Sequence, residues 1–124
     1  MKSILIVDDD AEDLQFLKET LAGEGYRVQC LSDSEEALAE VSKHKPDLMI
    51  LDVLMPKLDG AELAHQLHLK PDTAGIPFIF LTSAAFGLSS TFLIGDITYE
   101  VFGKPFKKNE LLRSVRRILS PAHV

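Results

Sequence analysis

The fold is decided by the stretch Leu48-Met49-Ile50-Leu51-Asp52, in which four apolar residues run directly into an acid. An apolar run of this length without polar alternation is typical of a strand buried on both faces of a parallel sheet. The same pattern recurs at Ile4–Val7 before Asp8 and at Phe78–Leu81 before Thr82. These runs therefore predict parallel strands that each end at a polar residue.

Helix-like segments alternate with the strands along the whole chain. Further strands are expected at Arg27–Leu31 and around Val101-Phe102. Leucines at helical spacing after Asp10 predict a helix there. Apolar periodicity predicts later helices over Ala61–Leu69 and Asn109–Leu119. Five such βα units are accommodated economically by a right-handed doubly wound α/β sheet with helices on both faces.

One segment of the alternation is weak. Residues Ala84–Gly95 carry no charge and contain two glycines, so the sequence predicts only a short, poorly formed or partner-covered helix there. An uncharged segment of this kind also indicates a face that a partner or a second subunit covers.

The polar residues at the strand ends form a chemically consistent set. In an open parallel α/β sheet, ligands bind in the crevice outside the carboxyl ends of the strands. Acids such as Asp8, Asp9 and Asp52 suit Mg²⁺, which takes oxygen ligands, and Asp52 is suited to accept a phosphoryl group. The Lys104 ammonium would neutralise charge on that group and the Thr82 hydroxyl would hydrogen-bond it. Asp10 is instead interpreted as a helix N-cap.

Composition excludes several classes of function. The net charge of -6 argues against binding to nucleic acids or anionic membranes. A single cysteine, Cys30, allows no intrachain disulfide and fits a reducing compartment, where it is interpreted as a small buried hydrophobe. The N-terminus matches neither a signal peptide nor a membrane span. We expect one cytoplasmic domain over residues 1–124.

Four motifs resemble the response-regulator receiver domain of two-component signalling, and the likeness covers essentially the whole chain. Residues 4–10 resemble the first strand of that family with its acidic pair, and residues 46–60 are similar to its most recognisable stretch, with Asp52 as phosphoacceptor. Phe80–Ala84 contains the switch hydroxyl of Thr82, and Lys104-Pro105-Phe106 contains the family's lysine and typical proline.

The resemblance implies a flavodoxin-like, three-layer fold with five parallel strands in the order 2-1-3-4-5 and five helices. It implies that Asp9, Asp52 and the backbone carbonyl of Leu54 bind Mg²⁺ directly, and that Asp8 does so through water. It further implies phosphoryl transfer to Asp52 from a sensor histidine kinase or a histidine phosphotransfer protein. Self-catalysed hydrolysis would reset the switch, and no other enzymatic activity is expected.

The chain departs from the family pattern at several positions. Val101 stands where the family usually has an aromatic residue three positions before the lysine, and Ile97-Thr98 replace its Gly-Ala pair. These departures predict an unusual output surface. Leu54 and Ala84 are apolar at positions that influence access of water to the phosphoaspartate in the family, so we predict slow self-dephosphorylation.

Two alternatives to a phosphorylation switch remain at this stage. One is a degenerate receiver that acts as a protein-interaction module without phosphorylation. The other is an aspartyl-phosphate phosphatase, although such enzymes need an acid two residues after the nucleophile, where this chain has Leu54. The first strand is followed by neither a dinucleotide fingerprint nor a P-loop. Because the chain stops about where the last helix ends, we expect it to contain no output domain, whether it is free-standing or part of a longer regulator.

Overall fold

The computed structural model describes residues 1–53, 60–82, 91–94, 97–103 and 107–120, which contain one mixed sheet. Its strands, in chain order, are β1 (Ser3–Val7), β2 (Arg27–Leu31), β3 (Leu48–Asp52), β4 (Phe78–Thr82), β5 (Thr91–Ile94) and β6 (Ile97–Gly103). They lie in the order β2-β1-β3-β4-β6-β5. All neighbours pair in parallel except β5, which is antiparallel to β6. The parallel strands lie in the order β2-β1-β3-β4-β6. Because β6 is the fifth parallel strand along the chain, this confirms the predicted order 2-1-3-4-5.

Four helices are found in the described parts of the chain. They are α1 (Ala11–Ala22), α2 (Ser34–Lys43), α3 (Gly60–His68) and α4 (Lys108–Leu119). Asp33 is the N-cap of α2, and its carboxylate accepts a hydrogen bond of 2.8 Å from the Glu35 N–H. After α1, the chain turns into β2 through Gly25, whose φ of +93° lies in the left-handed region that favours glycine.

The expectation of a helix over Ala84–Gly95 is wrong for its last part, since Thr91–Ile94 is strand β5. Residues 83–90 lie outside the described residues. Thr91-Phe92-Leu93-Ile94 is rich in aromatic and β-branched residues, which favour a strand. It pairs with β6 in a register that places Ile94 opposite Ile97. The sheet therefore gains an antiparallel edge strand beyond the predicted five.

The buried core consists of two layers, one on each face of the sheet. Because alternate residues of a strand point to opposite faces, each continuous apolar strand contributes to both layers. On one face, β1, β3 and β4 pack against α2 and α3, and on the other face they pack against α1 and α4. Doubly buried strands explain why these runs lack polar alternation. The arrangement is the predicted three-layer α/β fold.

Candidate functional site at the carboxyl ends of the strands

Asp8 and Asp52 lie side by side at the carboxyl edge of the sheet. The register pairs Val7, the last residue of β1, with Leu51 of β3. Asp8 directly follows Val7, and Asp52 directly follows Leu51 as the last residue of β3. At the opposite edge, Ser3 and Asp47 fix this register through the Ser3 N–H to Asp47 carboxylate bond of 2.8 Å. Asp8 is 0% exposed and Asp52 is 5% exposed. The sheet therefore holds two buried carboxyl groups on neighbouring strands.

Asp9 completes a group of three acids. One carboxylate oxygen from each of Asp8, Asp9 and Asp52 lies within 4.8 Å of the other two, and Asp9 is the exposed member. Among the residues that the structure describes, this is the only group of three histidine, cysteine or acidic side chains so arranged. The sequence predicts all three acids at one site, and the structure brings them together.

Hydrogen bonds hold the loop that carries these acids. The Asp8 carboxylate accepts a bond of 3.0 Å from the Asp10 N–H. The Asp10 carboxylate in turn accepts bonds from the N–H groups of Glu12 and Asp13, at 2.9 and 3.3 Å. Asp10 is therefore the N-cap of α1, as predicted, and its carboxylate serves the helix rather than the acid group.

The acid group has the chemistry of a divalent-cation site. Buried carboxylates that lie close to one another repel, and a cation bound between them offsets that repulsion. Hard cations such as Mg²⁺ bind carboxylate and carbonyl oxygens and retain several waters, so one exposed and two buried acids fit such an ion. The donor set that the sequence predicts for Mg²⁺ is thus compatible with the observed arrangement.

Thr82 ends β4 at the same edge of the sheet. Asp52 pairs in register with Leu81, and the Val53 N–H donates a bond of 2.8 Å to the Leu81 carbonyl, so Thr82 is one residue beyond the partner of Asp52. Thr82 is 2% exposed and pairs with Gly103 of β6. Its position fits the predicted contact with a phosphoryl group, which stays a prediction.

Two residues of the predicted site, Leu54 and Lys104, lie outside the described residues. The structure follows β3 to Asp52 and Val53, just before Leu54, and follows β6 to Gly103, just before Lys104. The predicted roles of the Leu54 carbonyl and the Lys104 ammonium therefore stay predictions. Gly103 of β6 pairs with Thr82 of β4, and Lys104 is the next residue of the chain.

The β6 residues Val101 and Glu100 contact different parts of the structure. Val101 is half-buried, pairs with Phe80 and packs against the layer beneath α2 and α3. Glu100 accepts a hydrogen bond from the Ser114 hydroxyl of α4 and forms an ion pair with Arg117. The sequence analysis missed this contact, because nothing in the local pattern shows which strand residue meets which turn of a distant helix.

Cys30 lies in β2, partly buried, with its sulfur 3.9 Å from the Leu14 carbonyl oxygen. Burial raises the pKa of the Cys30 thiol, and the nearby Lys18 opposes that shift only in part. A raised pKa disfavours the thiolate, which is the reactive form of cysteine. The thiol therefore behaves as the small buried hydrophobe that the sequence predicts.

Comparison with known proteins places the fold and site in a family. A family model described as the response regulator receiver domain matches residues 4–116. Response regulator MprA of Mycobacterium leprae (strain TN) is 35% identical over 116 residues, which make up 94% of this chain and 50% of MprA. A signal receiver domain of a signal transduction histidine kinase from Syntrophus aciditrophicus has a TM-score of 0.81 at 32% identity, over 97% of this chain and 91% of that one. The chain belongs to the response regulator receiver domain family of two-component signalling.

A second solved structure bears on the metal. The receiver domain of sensor histidine kinase PA1611 from Pseudomonas aeruginosa PAO1 has a magnesium ion coordinated in its active-site cleft. It matches with a TM-score of 0.82 at 25% identity, over 97% of this chain and 98% of that one. The chain spans about half the length of the curated relatives that it matches. The expectation that residues 1–124 are one domain without an output domain stays a prediction.

The helices of the described ranges are α1 to α4. No helix among them is long and apolar enough to cross a membrane. The predicted cytoplasmic location is not tested by this observation.

Proposed function

We propose that this chain is a phosphorylation-dependent signalling switch in which Asp52 accepts a phosphoryl group and a protein-binding surface changes in response. The observation that supports it is the group of carboxylates from Asp8, Asp9 and Asp52, with oxygens within 4.8 Å of one another. The donor proposed is the phosphohistidine of a sensor histidine kinase or of a histidine phosphotransfer protein. Membership of the receiver family favours such a donor over a small-molecule substrate.

The acid group is proposed to hold Mg²⁺. Asp9, Asp52 and the Leu54 backbone carbonyl would be direct ligands, and Asp8 would act through water. When bound, the ion supplies positive charge that offsets the negative charge of the transferring group. Asp8 and Asp52, being buried, are held in place by the sheet, which reduces the reorganisation that ion binding requires.

The transfer step places Asp52 as the nucleophile. One carboxylate oxygen of Asp52 forms a bond to phosphorus while the phosphorus–nitrogen bond of the donor imidazole breaks, and the ring nitrogen keeps that electron pair. The Lys104 ammonium and the Thr82 hydroxyl are proposed to contact the transferred oxygens. Water later attacks phosphorus, which releases inorganic phosphate and restores the carboxylate.

A phosphatase that acts on small phosphoesters is the weaker alternative. Such an enzyme would use Asp52 as nucleophile and a second acid two residues later to protonate the leaving group. That position is Leu54, which has no ionisable group. Multiple turnover of a small phosphoester that depends on Asp52 would favour this reading over the switch.

The test is incubation of the chain with Mg²⁺ and acetyl phosphate, followed by intact-mass measurement. The wild type should gain the mass of one phosphoryl group, and Asp52→Asn should gain none. Asp10→Asn is a matched control, since it also neutralises an acid near the site, while asparagine preserves the helix cap. No mass gain in the wild type, or an equal gain in Asp52→Asn, would refute the proposal.

A further inference from the structure

Two residues of α4 contact the Glu100 side chain. The Ser114 hydroxyl donates a hydrogen bond to its carboxylate, and Arg117 forms an ion pair with the same side chain. Ser114 is only 5% exposed, and a buried hydroxyl requires a hydrogen-bond partner. The ion pair is partly exposed and contributes less. Because the Ser114 hydroxyl is buried, its hydrogen bond to Glu100 is a specific contact between β6 and α4.

This contact lies on a strand whose described side chains are less buried than those of its neighbour β4. All five residues of β4 are buried, whereas Val101 and Phe102 of β6 are only half-buried and Gly103 is exposed. A groove of about 450 Å³ runs between β6 and α4, lined in part by Glu100 and Ser114. Segments with few buried contacts and adjacent free space shift at low cost. Side chains at the carboxyl end of β6 are therefore less enclosed than those of β4, so the Glu100 contact adds to the backbone pairing with β4 in holding that end.

The same strand leads into the site. Gly103 pairs with Thr82, and Lys104 is the next residue of the chain. Glu100 precedes Lys104 by four residues, on the strand that sets where the chain enters the phosphoryl site. The metal-binding acids lie on or directly after β1 and β3, which do not contact Glu100 in the sheet. A contact at Glu100 can therefore affect Lys104 and Thr82 without affecting the acids.

We infer that Glu100 is a positioning residue, which through Ser114 and Arg117 of α4 holds the carboxyl end of β6 so that Lys104 meets the phosphoryl group. This inference rests on the proposed function, because it assigns a role toward the group that Asp52 accepts. Groups held in place before a ligand arrives bind it more tightly, since less ordering is needed on binding. Loss of the contact should weaken phosphoryl binding and leave Mg²⁺ binding intact.

The test compares two titrations of the folded chain. Mg²⁺ affinity is measured by calorimetry, and affinity for beryllofluoride, a phosphoryl mimic, is measured at saturating Mg²⁺. Glu100→Gln and Ser114→Ala should each bind beryllofluoride at least about fivefold more weakly than the wild type, with unchanged Mg²⁺ affinity. Arg116→Ala is the control, because Arg116 lies on the same helix but forms its ion pair with Glu24. It should match the wild type in both titrations.

Each other outcome overturns the inference. Unchanged beryllofluoride affinity in both variants would show that the contact does not position the site. An equal loss of Mg²⁺ and beryllofluoride affinity would show a general loss of structure instead, and thermal unfolding of each variant checks for this. A wild type that binds Mg²⁺ but no beryllofluoride would refute the proposed function itself, which separates the two failures. Ser114→Ala retains the charges of Glu100 and Arg117, so it keeps the test informative if Glu100→Gln does not fold.

Discussion

Asp8 and Asp52 stand next to each other on neighbouring parallel strands, and both side chains are almost completely buried. Two unit charges about 5 Å apart repel by about 3 kcal/mol at an effective dielectric constant of about 20. Two carboxylates at this separation therefore need positive charge or hydrogen bonds nearby to offset their repulsion. A bound cation would offset the repulsion between the two carboxylates, so the arrangement suits a divalent-cation site.

Asp8→Asn should stabilise the chain in the absence of Mg²⁺. The substitution removes one of two repelling buried charges, while the asparagine carbonyl can still accept the bond from the Asp10 N–H. We expect the free energy of unfolding in EDTA to rise by about 1 to 3 kcal/mol, measured by urea denaturation. Added Mg²⁺ should stabilise the wild type by about 2.7 kcal/mol at a hundredfold excess over Kd, and the variant far less. Lower stability of Asp8→Asn in EDTA would contradict this account.

Thr82→Ala should weaken binding of beryllofluoride and Thr82→Ser should not. The hydroxyl is proposed to donate to a charged phosphoryl oxygen, and such hydrogen bonds contribute about 1.5 to 3 kcal/mol. We therefore expect affinity to fall about tenfold or more in Thr82→Ala, measured by titration at saturating Mg²⁺. Because Thr82→Ser retains the hydroxyl, an equal loss in both variants would show that the methyl group and its packing matter instead.

Lys104→Gln should slow phosphorylation without affecting Mg²⁺ binding. Loss of a charge that stabilises the transferring group typically costs about a hundredfold in rate. The rate of mass gain with acetyl phosphate tests this, with Lys107→Gln as the control, since Lys107 is an exposed lysine three residues further on. Equal phosphorylation rates in the two variants would show that Lys104 does not act on the transferring group.

Phosphorylated wild type should lose its phosphoryl group slowly. Leu54 and Ala84 offer no polar group to guide water, so their replacement by asparagine at both positions should shorten the half-life. The decay of the phosphorylated mass after removal of acetyl phosphate measures it. A half-life in the wild type no longer than in receivers with polar residues at both positions would argue against the prediction.

The centre of the parallel sheet could be predicted because β1, β3 and β4 each contain a continuous apolar run. Leu48–Leu51 is apolar at every position since its alternate residues enter different core layers. The acids could be placed together for a related reason, because carboxyl ends of adjacent parallel strands meet at one edge. This rule alone predicts that Asp8 and Asp52 lie close together.

Strand β5 was missed although a signal for it was present. Gly95-Asp96 separates the strand-forming run Thr91–Ile94 from Ile97-Thr98-Tyr99, and such a pair of residues is typical of a two-residue hairpin connection. The lack of charge in Ala84–Gly95 fits a covered helix as well as a strand, so it does not by itself indicate β5. The contact between Glu100 and Ser114 had no such signal, since it depends on how α4 lies across the sheet.

Mg²⁺ and Asp52 are proposed to form the phosphoryl-binding site together. The most direct measurement is fluorine NMR of the chain with beryllofluoride, with and without Mg²⁺. The account predicts a bound fluorine signal in the wild type and in Asp10→Asn, lost on addition of EDTA and absent in Asp52→Asn. A wild type without a bound signal, or a signal of equal strength in Asp52→Asn, would contradict it.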